Sequence, residues 1–225
     1  AQRDASWRLP AAITGIAALA CVIVAGLAPS ATAARPQPLN VTYFLDSDAN
    51  AALLLAGSAE RPLPDAFGDG FSAELLLPGD TIATWASETT ARPAPTARLE
   101  DIAVNVSEEG RIVRARIDAA GVGRVIMRVP RAAQPGALAV NGVTVALPEA
   151  SEDDQFFSLI CNGRACDGAL IEITLAGETE SDWLVIGQTP GFTTPESAAL
   201  ITRRPASRTA IQQGDGAYAL SRQRP

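Results

Sequence analysis

Apolar and polar positions alternate along much of this chain, the signature of strands with one buried face. The alternation is clearest in the middle. Leu99, Ile102, Val104 and Val106 run up to Glu108-Glu109-Gly110, and Ile112, Val113, Ala115 and Ile117 return, interleaved with Arg111, Arg114 and Arg116. This predicts a meander with one solvated face, continued by Val122 to Val129. Leu138 to Val145 reads as a tight hairpin, because Asn141-Gly142 suits a type I′ turn, whose two central residues need positive φ. Upstream, Leu39 to Leu45 and Ala51 to Ala56 flank a turn at Asp46 to Asn50, and Phe71 to Leu77 pairs with Thr81 to Ser87 around Pro78-Gly79-Asp80. Downstream, Phe156 to Leu175 holds two strands flanking a turn bracketed by Cys161 and Cys166, and Trp183 to Gly187 forms another strand. Thr194 and Pro195 read as the N-cap and first position of a short helix reaching Ile201, before short strands near Arg208 to Ile211 and Ala217 to Leu220. Pro-rich links at Arg61 to Gly70 and Arg92 to Thr96 hold neither helix nor ladder. Many short strands punctuated by turns indicate a mainly β chain, a β-sandwich.

The first 34 residues break this pattern. Ala11 to Ala28 is an uncharged apolar run, and as a helix the stretch from Pro10 would reach about 28 Å, near the thickness of a hydrocarbon core. A secretory signal peptide ending at Ala31-Thr32-Ala33 competes with this reading, but the run is long for such a signal and stops well short of the cleavage site. A retained span over residues 1–34, surrounded by membrane lipid, is the expectation, with one extracytoplasmic β-sandwich over 35–225. Arg3 and Arg8 before the run favour a cytoplasmic N-terminus. The chain opens on Ala1, which fits either a removed initiator methionine or the tail of a longer protein.

Composition narrows the chemistry. The chain of 225 residues has no histidine and a net charge of -7. Its basic residues are all arginines, scattered along the sequence, so no stripe exists to neutralise a phosphate backbone, and nucleic acid is not expected as a partner. Without histidine there is no Ser-His-Asp or Cys-His pair, and without lysine no Schiff base or phosphate-loop lysine. Carboxylate chemistry needs two carboxyl groups about 5 to 10 Å apart in a cleft. Spacing nominates no such pair among Asp46, Asp48, Asp153, Asp154 and Glu172. Asp46, Asp48 and Asn50 mimic the start of a calcium loop, but Ala51 and Gly57 stand where its glycine and bidentate glutamate belong. No catalytic residue and no metal ligand is therefore assigned. In an oxidising compartment Cys161 and Cys166 can form a disulfide worth about 2 kcal/mol, whereas a metal site would need more ligands than this pair offers. Trp85 and Trp183 are core or rim residues in one reading and a platform for a sugar or peptide in the other.

Four phrases occur together: Arg35 to Asp46 (RPQPLNVTYFLD), Val140-Asn141-Gly142, Cys161 to Ala169 (CNGRACDGA) and Trp183 to Gly191 (WLVIGQTPG). They resemble the C-terminal extracytoplasmic region of bacterial membrane-bound zinc exopeptidases of metallopeptidase family M-twenty-eight, relatives of the vacuolar membrane protease and the endoplasmic reticulum metallopeptidase. The resemblance implies the last membrane span plus a β domain on the periplasmic side of the bacterial inner membrane. It also implies an aminopeptidase-like catalytic domain upstream, holding two zinc ions and acting as this domain's partner. None of the family's zinc ligands or its catalytic carboxylate maps onto this chain, so no cofactor is expected within it. A free-standing secreted or anchored binding module is the alternative.

Overall fold

A computed structural model describes residues 14, 18, 19, 21, 32–107, 110–147, 154–177, 181–212 and 214–225. The chain divides into two units, residues 1–37 with 206–208 and residues 38–205 with 209–225. In the first, Thr14, Ala18, Leu19 and Cys21 are helical and exposed, and Thr32 and Arg35 form an isolated bridge. Apart from those four positions, the expected span at residues 11–28 lies outside the described residues. Among the described residues no helix is long and apolar enough to cross a membrane.

Strands follow as β1 (Gln37–Pro38), β2 (Val41–Asp46), β3 (Ala51–Ser58), β4 (Ser72–Glu74), β5 (Thr84–Thr89), β6 (Arg98–Ser107), β7 (Gly110–Asp118) and β8 (Arg124–Pro130). After them come β9 (Pro135–Val140), β10 (Val143–Val145), β11 (Phe156–Asn162), β12 (Leu170–Leu175), β13 (Trp183–Pro190), helix α1 (Pro195–Arg203), β14 (Arg208–Thr209) and β15 (Gly216–Gln223). The chain is mainly β. β1 and β14 pair as a short ribbon. The second unit contains a five-stranded sheet in the order β10-β9-β12-β7-β6 and an eight-stranded sheet in the order β11-β8-β13-β15-β2-β3-β5-β4. Every pair in these two sheets is antiparallel except β15 with β2.

One face of the eight-stranded sheet is covered in two halves. Val125, Met127, Trp183 and Val185 meet Val113, Ile171 and Ile173 of the five-stranded sheet in one core. Val41, Tyr43 and Leu54 meet Leu200 of α1 and Phe67 in another. Helix α1 starts where the sequence indicates, because Thr194 Oγ1 accepts the Ser197 N–H and Ser197 Oγ accepts the Thr194 N–H. The opposite face gathers Phe44, Leu55, Leu184, Ile186 and Leu220 into a third cluster.

That opposite face curls inward. The segment after β4 brings Gly79 against Phe156 of β11, at the far edge of the same sheet, and Arg128 of β8 donates to the Pro78 carbonyl at 3.2 Å. From Glu74 to Gly79 the chain can reach about 18 Å. Seven strand spacings of about 4.8 Å would separate β4 from β11 by roughly 34 Å in a flat sheet. The two edges therefore approach each other around the third cluster. This is also why the expected strand at Phe71 to Leu77 is short: Leu76 and Leu77 leave the ladder and pack into the curl.

Two pairings differ from the sequence expectation. β8 does not continue the β6–β7 meander but joins the eight-stranded sheet, and β11 and β12 are not a hairpin, since each belongs to a different sheet. The Asn141-Gly142 hairpin forms as expected, with Val140 opposite Val143.

Candidate functional site

β11 is an edge strand of the eight-stranded sheet and β12 the central strand of the five-stranded one, so the chain between Asn162 and Leu170 crosses from sheet to sheet. Cys161, at the end of β11, is joined to Cys166 in a disulfide with Cα atoms 5.7 Å apart. Cys166 is 1% exposed and Cys161 packs against the core shared by the two sheets. Polar groups stitch the crossing to the end of β7. Asp167 Oδ1 accepts the Ala119 N–H at 2.9 Å, Gly168 N–H donates to the Ile117 carbonyl at 2.8 Å, and Ile117 N–H donates to the Ala169 carbonyl at 2.9 Å.

Beside this crossing, between β10 and β11 at the margins of the two sheets, lies a cavity of about 400 Å³. Val125, Met127, Leu138, Leu159, Ile171 and the Cys161 end of the disulfide line it. Among the described residues that line it, Ser158 is the one polar residue, and as the cross-strand partner of Arg128 it stands on the other face of the sheet. Such a lining offers shape and apolar contact, the means of binding an apolar group. Alternation along β8 and β11 puts the apolar side chains there, while Arg128 on the other face of β8 pairs with Asp80 at 3.0 Å.

The two tryptophans do not form a platform together. Trp183 is 0% exposed, packed in the core between the sheets with its indole N–H buried and without an acceptor, so it presents no face to a ligand. The run Trp183-Leu184-Val185-Ile186 is apolar on both strand faces, which is the mark of a central strand, and that signal already pointed to burial. Trp85 is half-buried against the core beneath α1, and its Nε1–H donates to the Arg61 carbonyl at 2.8 Å.

The carboxylates are engaged locally. Asp46 Oδ1 accepts the N–H groups of Asp48 and Ala49 at 3.2 and 3.1 Å, and Arg222 pairs with Asp46 at 2.8 Å. Asp48 Oδ2 accepts the Arg222 backbone N–H at 2.6 Å. The Arg222 hydrogen bond, reinforced by the turn N–H groups, lowers the Asp46 carboxyl against a smaller opposing effect of burial. These oxygens close a hairpin turn and neutralise an arginine rather than converging on a cation. Glu172 pairs with Arg114 across β12 and β7, and Asp154 lies beside the small polar cleft around Arg128 and Gly79. Asp153 lies outside the described residues. Among the described residues no three His, Cys, Asp or Glu side chains gather closely enough to hold a metal ion.

Comparison with family models, with curated proteins and with solved structures finds no match to this chain.

Proposed function

We propose that this chain is an extracytoplasmic β module that binds or positions rather than catalyses, the C-terminal accessory part of a membrane-anchored zinc exopeptidase. The observation that carries the reading is the Cys161–Cys166 disulfide. Such bonds persist in oxidising compartments such as the periplasm, and this one lies within Cys161 to Ala169, which together with the later segment from Trp183 most specifically carries the family resemblance. A five-stranded sheet facing part of a larger one across a shared core supports the sandwich reading of the domain. In this role the module positions or shields the catalytic domain, or presents peptides to it. The inner-membrane span precedes it, and the zinc ions belong to the absent domain.

Immunodetection of the native protein, followed by an aminopeptidase assay on the captured material, tests the proposal. A band far above the size of a 225-residue chain, with chelator-sensitive activity, is the expected outcome. A band at that size without such activity would overturn it. The second reading, a free-standing binding module, is favoured by the cavity between β10 and β11. Its site then shifts from the tryptophans to this cavity, and its ligand is an apolar group rather than a sugar.

A further inference from the structure

Four polar side chains stand in one row across four neighbouring strands. Asn162 of β11 is the direct cross-strand partner of Arg124 on β8, Arg124 that of Gln188 on β13, and Gln188 that of Tyr218 on β15. Direct partners share a face, and this face is the inner one of the curl, where Tyr218 packs with Ile126, Ile186 and Leu220. The row has open valences. Gln188 is 4% exposed, yet its Oε1 accepts no hydrogen bond, and Nε of Arg124 is likewise buried without an acceptor. None of the ion pairs among the described residues includes Arg124. Burial raises the Tyr218 phenol above its ordinary value while nearby Arg124 partly offsets the shift, so the hydroxyl is neutral and within electrostatic reach of the guanidinium. Asn162 is exposed and Arg124 half-buried, so the row opens to solvent from the β11 side.

Folded chains pair nearly all their buried polar groups. A guanidinium Nε–H and a carbonyl oxygen, both buried and unpartnered on one face beside the Tyr218 phenol, therefore call for a partner from outside. We infer that this row receives a small carboxylate carrying an adjacent N–H, the group found at the C-terminus of a peptide and in an N-acyl amino acid. The guanidinium and the phenol take the carboxylate oxygens, and the N–H donates to Gln188 Oε1. A sulfate would bring no donor for that oxygen, and an uncharged amide would leave the arginine uncompensated. The inference goes beyond the accessory-module reading and stands without it, since it concerns only these four residues.

Calorimetric titration of the full chain with acetyl-alanyl-alanine, its C-terminal amide and propionate tests the assignment. The acid should bind saturably, and the amide and propionate, each missing one element, should bind at least about tenfold more weakly. Arg124→Gln should weaken the acid by a similar factor. Gln188→Leu replaces an unpaired buried amide by an apolar group of like size, so it should leave the melting temperature unchanged or raised while still weakening the acid. Lengthening the peptide separates the two sources: affinity that rises with added residues assigns a peptide terminus, and flat affinity an N-acyl amino acid. No saturable binding of the acid, equal binding of acid and amide, or undiminished binding by a folded Arg124→Gln would each overturn the proposal. Should that variant fail to fold, the ligand series on the unaltered chain decides.

Discussion

The turn at Asn141-Gly142 sends β9 straight back along itself as β10, with Val140 facing Val143, whereas the turn closed by Cys161 and Cys166 carries the chain out of one sheet and into the other. Both are punctuated by glycine in left-handed geometry, at φ 78° for Gly142 and at 83° and 76° for Gly163 and Gly168. Length separates them. A two-residue turn has no reach except to its own strand, while the chain from Asn162 to Leu170 can cover the roughly 10 Å between packed sheets. Its destination is then set by which core the flanking faces fill: Phe157 and Leu159 from the eight-stranded side, Ile171 and Ile173 from the five-stranded side. The two turns also touch. Asn141 N–H donates to the Leu170 carbonyl at 2.8 Å, and Leu170 N–H donates to Asn141 Oδ1 at 2.9 Å, so the hairpin turn holds the point where the crossing lands.

Breaking the crossing should have the largest effect. Replacing Cys161 and Cys166 together by Ala removes the staple and should cost about 2 kcal/mol or more in urea denaturation, with dithiothreitol lowering the stability of the unaltered chain comparably. An unchanged midpoint would mean that the Asp167, Gly168 and Ile117 hydrogen bonds hold the crossing by themselves. Asn141→Ala comes next, because it strands the Leu170 N–H and places alanine at φ 50°, for a loss of about 1 to 2 kcal/mol. Combined with the disulfide removal it should deviate from additivity by at least about 0.5 kcal/mol, since both changes act on the landing of β12. Strict additivity would uncouple the two turns. Gly142→Ala should cost about 1 kcal/mol through its φ alone, because an added Cβ there meets nothing within 4 Å.

The same contrast explains what the sequence could reveal. Strand positions, the Asn141-Gly142 hairpin and the Thr194 cap are local, encoded by alternation and turn chemistry over a few residues. Sheet membership is not local. Nothing between Val122 and Val129 distinguishes a strand that continues a meander from one that crosses, because the choice depends on partners such as Leu184 to Gln188, far along the chain. The row formed by Asn162, Arg124, Gln188 and Tyr218 was hidden for the same reason: only the register of four strands brings those residues side by side. The Cys161–Cys166 pairing was visible in the spacing, but its role as an inter-sheet staple was not. Burial of Trp183 was legible in the two-sided apolar run that follows it.

A third turn sharpens the comparison at the smallest scale. The β2–β3 turn is closed by a charged group, Asp46, whereas in the β9–β10 turn the neutral Asn141 side chain reaches out to the Leu170 N–H. Chiefly through the Arg222 hydrogen bond, the folded Asp46 carboxyl titrates below the ordinary aspartate value of 3.8. A carboxyl depressed by folding contributes stability that is fully present above its unfolded value and is lost as pH falls through the lower folded one. The penalty of Asp46→Asn, measured by urea denaturation, should therefore be present at neutral pH and shrink toward the acid end of the folded range. It should also weaken in added salt, because the partner Arg222 side chain stands partly in solvent. The Asn141→Ala penalty should stay constant over the same range, since neither Asn141 nor Gly142 has an ionisable side chain. If the Asp46→Asn penalty stays equally constant, the N–H groups of Asp48 and Ala49, rather than the charge on Arg222, close the β2–β3 turn.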